Sequence, residues 1–289
     1  MNAARWLITG ADGQLGASIL SEAPPGGVEW VGRGRLELDI TDARQVSTAL
    51  DEIRPAVVVN TAAFTQVDAC ESERAKAWAV NVDGPAALAA SCAGRALLVH
   101  VSTEYVFAGT AFTPIPEEAP IEPKSVYGES KAAGEEAVRR SQCDHLIVRT
   151  QWLFGPGRNF VRTILEAGRR GQALRVVEDQ LGRPTSSIAL ARGIRAAVAA
   201  ELRGTVHIAC EGVASKYDFA RQIISRGAYR GLTPIVAVEP VPTSAFPCPA
   251  TRPAYGVLGL DRARSHGIHL PHWTEALEAY LDEEAKRHA

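Results

Sequence analysis

An α/β fold, built on a doubly wound parallel sheet with a smaller C-terminal lobe, is the architecture this sequence predicts. Three observations carry it. Apolar strand-like runs alternate with helix-like segments over much of the chain, as in a parallel sheet with helices on both faces. A glycine-rich turn, Gly10-Ala11-Asp12-Gly13-Gln14-Leu15-Gly16, follows the first run, with the strand, turn and helix spacing of a Rossmann-type pyrophosphate loop. After residue 150 the pattern changes, and proline-rich pieces such as Val238–Pro253 read as loops over a second lobe.

The first strand is read over Arg5–Thr9. Amides at the start of the helix-like stretch Gln14–Leu20 would face a phosphate, with Gly10, Gly13 and Gly16 giving it room. Glycines at this spacing also serve plain turns. Val28–Val31 is the second strand, and at its end Gly32-Arg33-Gly34-Arg35 stands where an acid would favour the free 2'-hydroxyl of NAD. Arg33 or Arg35 can pair with a 2'-phosphate instead, which favours NADPH over NADH; the plain alternative is a solvated basic turn. Asp39 and Ile40 offer a carboxylate and an apolar contact to frame an adenine ring.

A helix is expected over Thr41–Ile53, with no weight placed on Asp42 as its cap, followed by a strand over Ala56–Asn60. Val57-Val58-Val59 is apolar throughout, as strands buried on both faces are. The segment after Asn60, with Ala62, Ala63, Phe64 and Thr65, begins with small residues that let a cofactor approach. Another helix over Ala75–Ala93 leads to the strand Leu97–Ser102, whose C-terminal end lies where open α/β sheets bind ligands. Ser102 or Thr103 can there donate to a substrate carbonyl. Hydroxyls that merely cap a strand are the alternative.

Tyr127-Gly128-Glu129-Ser130-Lys131 comes next, at the head of a helical stretch over Ser130–Ser141. Residues four apart share a helix face, so the Lys131 ammonium can lower the Tyr127 phenol from its usual value of about 10. A tyrosine so tuned is a usable general acid. Tyr-x-x-x-Lys arises by chance in many helices, and it gains meaning from the glycine loop upstream. Leu146–Arg149 and Thr205–Ala209 complete the strands.

With 289 residues the chain can bury a large core. It is 46% hydrophobic and 22% charged with a formal net charge of -2, which implies neither a disordered tail nor a nucleic-acid surface. No apolar run nears the roughly 20 residues that cross a bilayer. The expected compartment is the cytoplasm, without a membrane partner. Cys70, Cys92, Cys143, Cys210 and Cys248 are scattered and form no Cys-x-x-Cys pair, so neither a disulfide framework nor a zinc site is expected. Only five lysines stand among the 31 basic residues, Lys131 being one.

On these motifs the chain resembles the dTDP-4-dehydrorhamnose reductase family of extended short-chain dehydrogenases/reductases. The resemblance runs through Gly10–Gly16, Val59–Ala63, Asp68–Glu73, Asn81, Ser102–Phe107, Tyr127–Lys131, Arg149-Thr150 with Trp152, Asn159-Phe160, Asp179–Thr185 and Arg252-Pro253. It implies that Tyr127 is the proton donor. It implies further that Lys131 binds the nicotinamide ribose and depresses the phenol, and that Thr103 bonds the sugar carbonyl or adjusts Tyr127. Gly13, Gln14, Leu15, Asp39, Ile40, Ala63, Phe64 and Thr65 fall at the family's cofactor contacts. Trp152, Glu104, Asn159 and Arg252 fall on the substrate side, Trp152 against the sugar; a core aromatic is the plain reading of Trp152.

The implied activity is NADPH-dependent reduction of the C4 keto group of dTDP-4-dehydro-L-rhamnose to dTDP-L-rhamnose. The expected organisation is an NADP-binding Rossmann domain over 1–151 and about 186–230, with a substrate lobe over about 152–185 and 231–289. A homodimer and Mg2+ are features of some members; no carboxylate cluster in the sequence calls for the metal. Three departures bear on the substrate: Glu104 replaces the usual Asp, Gln151 replaces a small hydroxyl residue, and Ala254-Tyr255-Gly256 stands where Asn-Ser is commoner. A sister reductase of the dihydrostreptose-synthase kind is therefore an alternative. Another is a non-catalytic regulatory subunit similar to that of methionine adenosyltransferase, against which the Thr103, Tyr127 and Lys131 set speaks. An epimerase or dehydratase with retained NAD is a third, disfavoured by the lack of an acid at residues 32–35.

Overall fold

A computed structural model describes residues 3–288; residues 1, 2 and 289, which the expected lobes include, lie outside it. Five strands, β1 (Ala4–Thr9), β2 (Val28–Arg33), β3 (Val57–Asn60), β4 (Leu97–Thr103) and β5 (His145–Thr150), join a sixth at Gly204–His207. From one edge the order is Gly204–His207, β5, β4, β3, β1, β2, and every pairing is parallel. The chain runs from β1 to β2 on one side and resumes at β3 on the other. The crevice of such a sheet opens beyond the C-terminal strand ends at that reversal.

Strand alternation sends Ile8, Val59, Val99 and Val148 to one apolar core and Leu7, Val58, Leu98 and Ile147 to another. Both faces are covered, which is why these runs carry no polar alternation. The exceptions lie just below the crevice. Thr9 donates to Asn60 Oδ1 at 2.7 Å, and Asn60 Nδ2 meets His100 Nδ1 at 3.1 Å, all three buried. Asn60 Oδ1 also accepts from the Ala62 amide at 3.2 Å, so the turn after β3 is held from beneath.

Several elements differ from expectation. Asp42 does cap the helix Ala43–Ile53, accepting from the Arg44 and Gln45 amides at 2.9 and 3.2 Å. The helix expected over Ala75–Ala93 divides into Arg74–Trp78, a π-turn at Ala79–Asp83, and Gly84–Cys92. Asn81 sits in that π-turn: its Oδ1 accepts from Phe64 N at 2.8 Å, and its Nδ2 donates to Phe64 O at 3.1 Å and Ser130 Oγ at 3.0 Å. Within Val238–Pro253, Val238–Val241 is a strand parallel to Leu174–Val177. Pro240 is tolerated there because the pair is a two-stranded edge.

The helix Ser187–Ala199 covers the main sheet beside Gln14–Ser21, where Ser18 and Ser187 hydroxyls meet at 2.6 Å. Lys216–Tyr229, expected with the dinucleotide lobe, packs on the helix Phe160–Gly168. Phe160 and Phe219 stack at 5.5 Å, and Gly227 abuts Leu165. The last helix, Trp273–His288, is tied to the same helix Phe160–Gly168 through Arg162 and Glu284 at 2.8 Å. Four cysteines are buried and Cys248 is exposed, all as free thiols. Among the described residues no helix is long and apolar enough to cross a membrane.

Candidate active site

The glycine loop is a backbone device. Gly10 has φ +66°, and a Cβ there would come 2.7 Å from the Ala62 nitrogen; one at Gly16 would come 2.4 Å from the Gly10 carbonyl. Only glycine allows this closeness. The helix Gln14–Ser21 starts at Gly13 with no side-chain cap, so its first amides are free for an anion.

A groove of about 310 Å³ leads from Gly10 and Gly13 along Ala62, Ala63 and Phe64 to Asp39 and Ile40. Arg35 lines it and Arg33 does not; the Arg33 guanidinium donates to the Gly32 carbonyl at 3.0 Å. Hydrogen bonds from the Thr41 amide and hydroxyl hold the Asp39 carboxyl below its ordinary range. The lining residues of this groove fit a dinucleotide cofactor.

Gly13, Thr61 and Ala63 also line a second cavity of about 440 Å³, so groove and cavity form one cleft. Gln14, Leu15, Thr65, Thr103, Glu104, Tyr127, Lys131 and Trp152 all reach it. Tyr127 lies in the first turn of the helix Val126–Arg140, which begins earlier than expected because Ser125 caps it and Glu71 accepts from the Val126 amide at 2.9 Å. Gly128 and Gly134 let this helix close on its neighbours: a Cβ would come 2.2 Å from Tyr105 O at the first and 2.1 Å from Asn81 O at the second. Tyr105 and Tyr127 rings meet edge-on at 5.3 Å.

Lys131 donates to the Val101 carbonyl at 2.8 Å. Burial pushes its ammonium down to about 8, opposed by Glu135 one turn on. The Tyr127 phenol is not lowered, contrary to expectation: burial raises it above its ordinary value, the Glu104 carboxyl adds to this, and the Thr103 hydroxyl opposes it. Thr103 Oγ1 donates to Glu104 Oε2 at 2.7 Å and accepts from the Tyr105 amide at 3.2 Å. Ser102 also lines the second cavity, but its Oγ is buried without a hydrogen-bond partner in the protein, whereas the Thr103 hydroxyl bears on the Tyr127 phenol. Thr103 is thus the hydroxyl beside Tyr127. Burial raises Glu104 to about 7, against the pull of Thr103 and Lys216.

Trp152 holds φ +45°, a left-handed conformation that costs a bulky residue energy and is typical of functional sites. Lys216 Nζ lies 3.5 Å from the centre of its ring. Lys216 also lines a third cavity of about 320 Å³, with Arg175, Arg252, Phe160 and Phe246. None of the side chains lining it is acidic. Arg252 is braced by Asp68 through two bonds of 2.9 and 2.7 Å.

Asn159, expected on the substrate side, lines none of these cavities. Its Oδ1 caps the helix Phe160–Gly168 and its Nδ2 donates to Gly155 O at 2.6 Å and Tyr280 OH at 3.0 Å, so its bonding capacity is used within the fold. Sequence reasoning missed Lys216. The scarcity of lysine in this chain is the one signal that could have pointed to it. Among the described residues no three His, Cys, Asp or Glu side chains come together as a metal site.

A Rossmann-type sheet, a bare glycine turn and a Tyr-x-x-x-Lys helix on one cleft define the short-chain dehydrogenase/reductase class of nicotinamide-dependent enzymes. A family model described as RmlD substrate binding domain matches residues 4–286. The chain belongs to this family, that of the dTDP-4-dehydrorhamnose reductases. It is 41% identical over 279 residues to dTDP-4-dehydrorhamnose reductase of Streptomyces griseus, covering 94% of this chain and 91% of that protein. It is also 41% identical over 291 residues to a probable dTDP-4,6-dihydroxy-2-methyloxan-3-one 4-ketoreductase of Streptomyces antibioticus, covering 98% and 97%. The crystal structure of dTDP-4-dehydrorhamnose reductase from Bacillus anthracis in complex with NADP superposes with a TM-score of 0.92 at 36% identity, covering 97% of this chain and 99% of that one.

Proposed function

We propose that this chain reduces the C4 carbonyl of dTDP-4-dehydro-L-rhamnose with NADPH, giving dTDP-L-rhamnose. The observation that carries the reading is that Thr103, Tyr127 and Lys131 share one cavity with the glycine loop. When bound, NADPH supplies the hydride. Gly13, Gln14 and Leu15 hold its pyrophosphate side, Arg35 takes the 2'-phosphate, and Lys131 takes the nicotinamide ribose.

Tyr127 gives its phenolic proton to the sugar oxygen as charge develops there. Its raised affinity for that proton keeps it loaded at neutral pH. Thr103 offers a second hydroxyl at the same oxygen, and Lys131 stabilises the phenolate left behind. Trp152 and Glu104 bear on the sugar. Lys216, Arg175 and Arg252 take the diphosphate in the cavity whose lining holds no acid, with Phe160 and Phe246 beside the base.

The test follows NADPH absorbance with dTDP-4-keto-6-deoxyglucose, with and without a 3,5-epimerase, and identifies the product by NMR. Consumption only with the epimerase, giving dTDP-L-rhamnose, is expected. No consumption with NADPH still bound overturns the reading in favour of a non-catalytic role.

A further inference from the structure

Gln151 follows β5 and precedes Trp152, and it is 2% exposed. Neither end of its amide has a hydrogen-bond partner in the protein. The side chain nevertheless lines the 440 Å³ cavity together with Glu104 and Trp152. A buried amide with two donors and an acceptor unpaired by protein is costly unless something in the cavity answers it.

The surroundings leave room for it. A Cβ at Gly182 would come 2.9 Å from Gln151 Oε1 and 2.6 Å from Trp152 Cε2, and a Cβ at Gly256 would come 3.7 Å from the same oxygen and 3.0 Å from Glu104 Cγ. Two bare backbones thus stand close to the amide oxygen. Gln151 and Gly256, separate departures in the sequence, meet here in space.

We infer that Gln151 is a specificity-determining residue whose amide reads a ring hydroxyl of the keto sugar, at the carbon next to the reacting carbonyl or the one beyond it. This rests on the proposed reading of the cleft as a keto-sugar nucleotide site. A hydroxyl both gives and takes a hydrogen bond, so it answers both ends of an amide. A deoxy sugar leaves the amide unanswered.

The test compares kcat/KM for NADPH-dependent reduction of a dTDP-4-keto-6-deoxy sugar and its 3-deoxy and 2-deoxy analogues, in the natural protein, Gln151→Ala and Gln151→Ser. The natural protein is expected to disfavour one deoxy analogue by about tenfold or more, and Gln151→Ala to shrink that preference to about threefold or less. Reduction of all three within about threefold by the natural protein overturns the inference without need of a variant, as does a preference that persists in Gln151→Ala. Should Gln151→Ala not fold, Gln151→Ser reads the same ratio. If the natural protein binds NADPH but reduces none of the three, the substrate reading itself has failed and the inference falls with it.

Discussion

The Lys131 ammonium donates to the Val101 carbonyl at 2.8 Å, at the wall of the cleft and almost wholly out of water. Lys131 is held ready by the backbone of β4 rather than by the phenol one helical turn away. The charge is therefore costly to the fold before it serves any substrate.

That cost has a sign. Burial lowers the Lys131 pKa from 10.5 to about 8, so the folded chain releases a proton that the unfolded chain keeps. The destabilisation is full below pH 8 and fades as pH rises through 8 toward 10.5. Lys131→Met should raise the unfolding free energy of the cofactor-free protein at pH 7 by on the order of 1 kcal/mol, and by less at pH 10. Thermal melts at the two pH values check it; an equal difference at both would sink the argument. The same variant should lose most activity.

Tyr127→Phe removes the proposed proton donor but keeps the ring against Tyr105 at 5.3 Å. Turnover should fall by roughly 10²–10⁴-fold, with NADPH affinity by fluorescence titration little changed. Retained turnover would remove Tyr127 from the role assigned to it.

Arg35 faces the groove and Arg33 binds its own strand, so the two arginines should differ in effect. Arg35→Ala is expected to lower kcat/KM for NADPH by about tenfold or more, with little change for NADH. Arg33→Ala should shift that ratio much less. Steady-state kinetics with both cofactors decide between them.

Much of this was legible in the sequence. The strands were readable because both faces of the sheet are covered, which leaves unbroken runs such as Val57-Val58-Val59. The glycine loop and the Tyr127–Lys131 spacing were readable because each is a local device. Asn81 and Lys216 were harder, since their roles depend on partners far away: Asn81 on Phe64 and Ser130, Lys216 on the ring of Trp152. Asn159 misled for the opposite reason. It lines none of the cavities, because helix capping and the Gly155 carbonyl have already consumed its hydrogen bonds.

Glu135 ties the tyrosine helix to the sheet. Both its oxygens accept from the Arg149 guanidinium, at 2.9 and 2.7 Å, and both side chains are buried. Although burial alone would raise its pKa, the hydrogen bonds and charge of Arg149 hold the Glu135 carboxyl below its ordinary range. That stabilisation is present above the unfolded value of about 4.3 and is lost as pH falls below it. Removing one partner strands the other, so Glu135→Ala should cost about 3–5 kcal/mol at neutral pH. Arg149 would then stand over Phe107 with only the Glu117 carbonyl and His207 near it. The variant should also lose less of its remaining stability than the natural protein when pH is lowered from 5 to 3. Urea melts at pH 7 and between pH 5 and 3 measure the two effects, and a loss below about 1 kcal/mol at pH 7 would mean that the pair is solvated rather than buried.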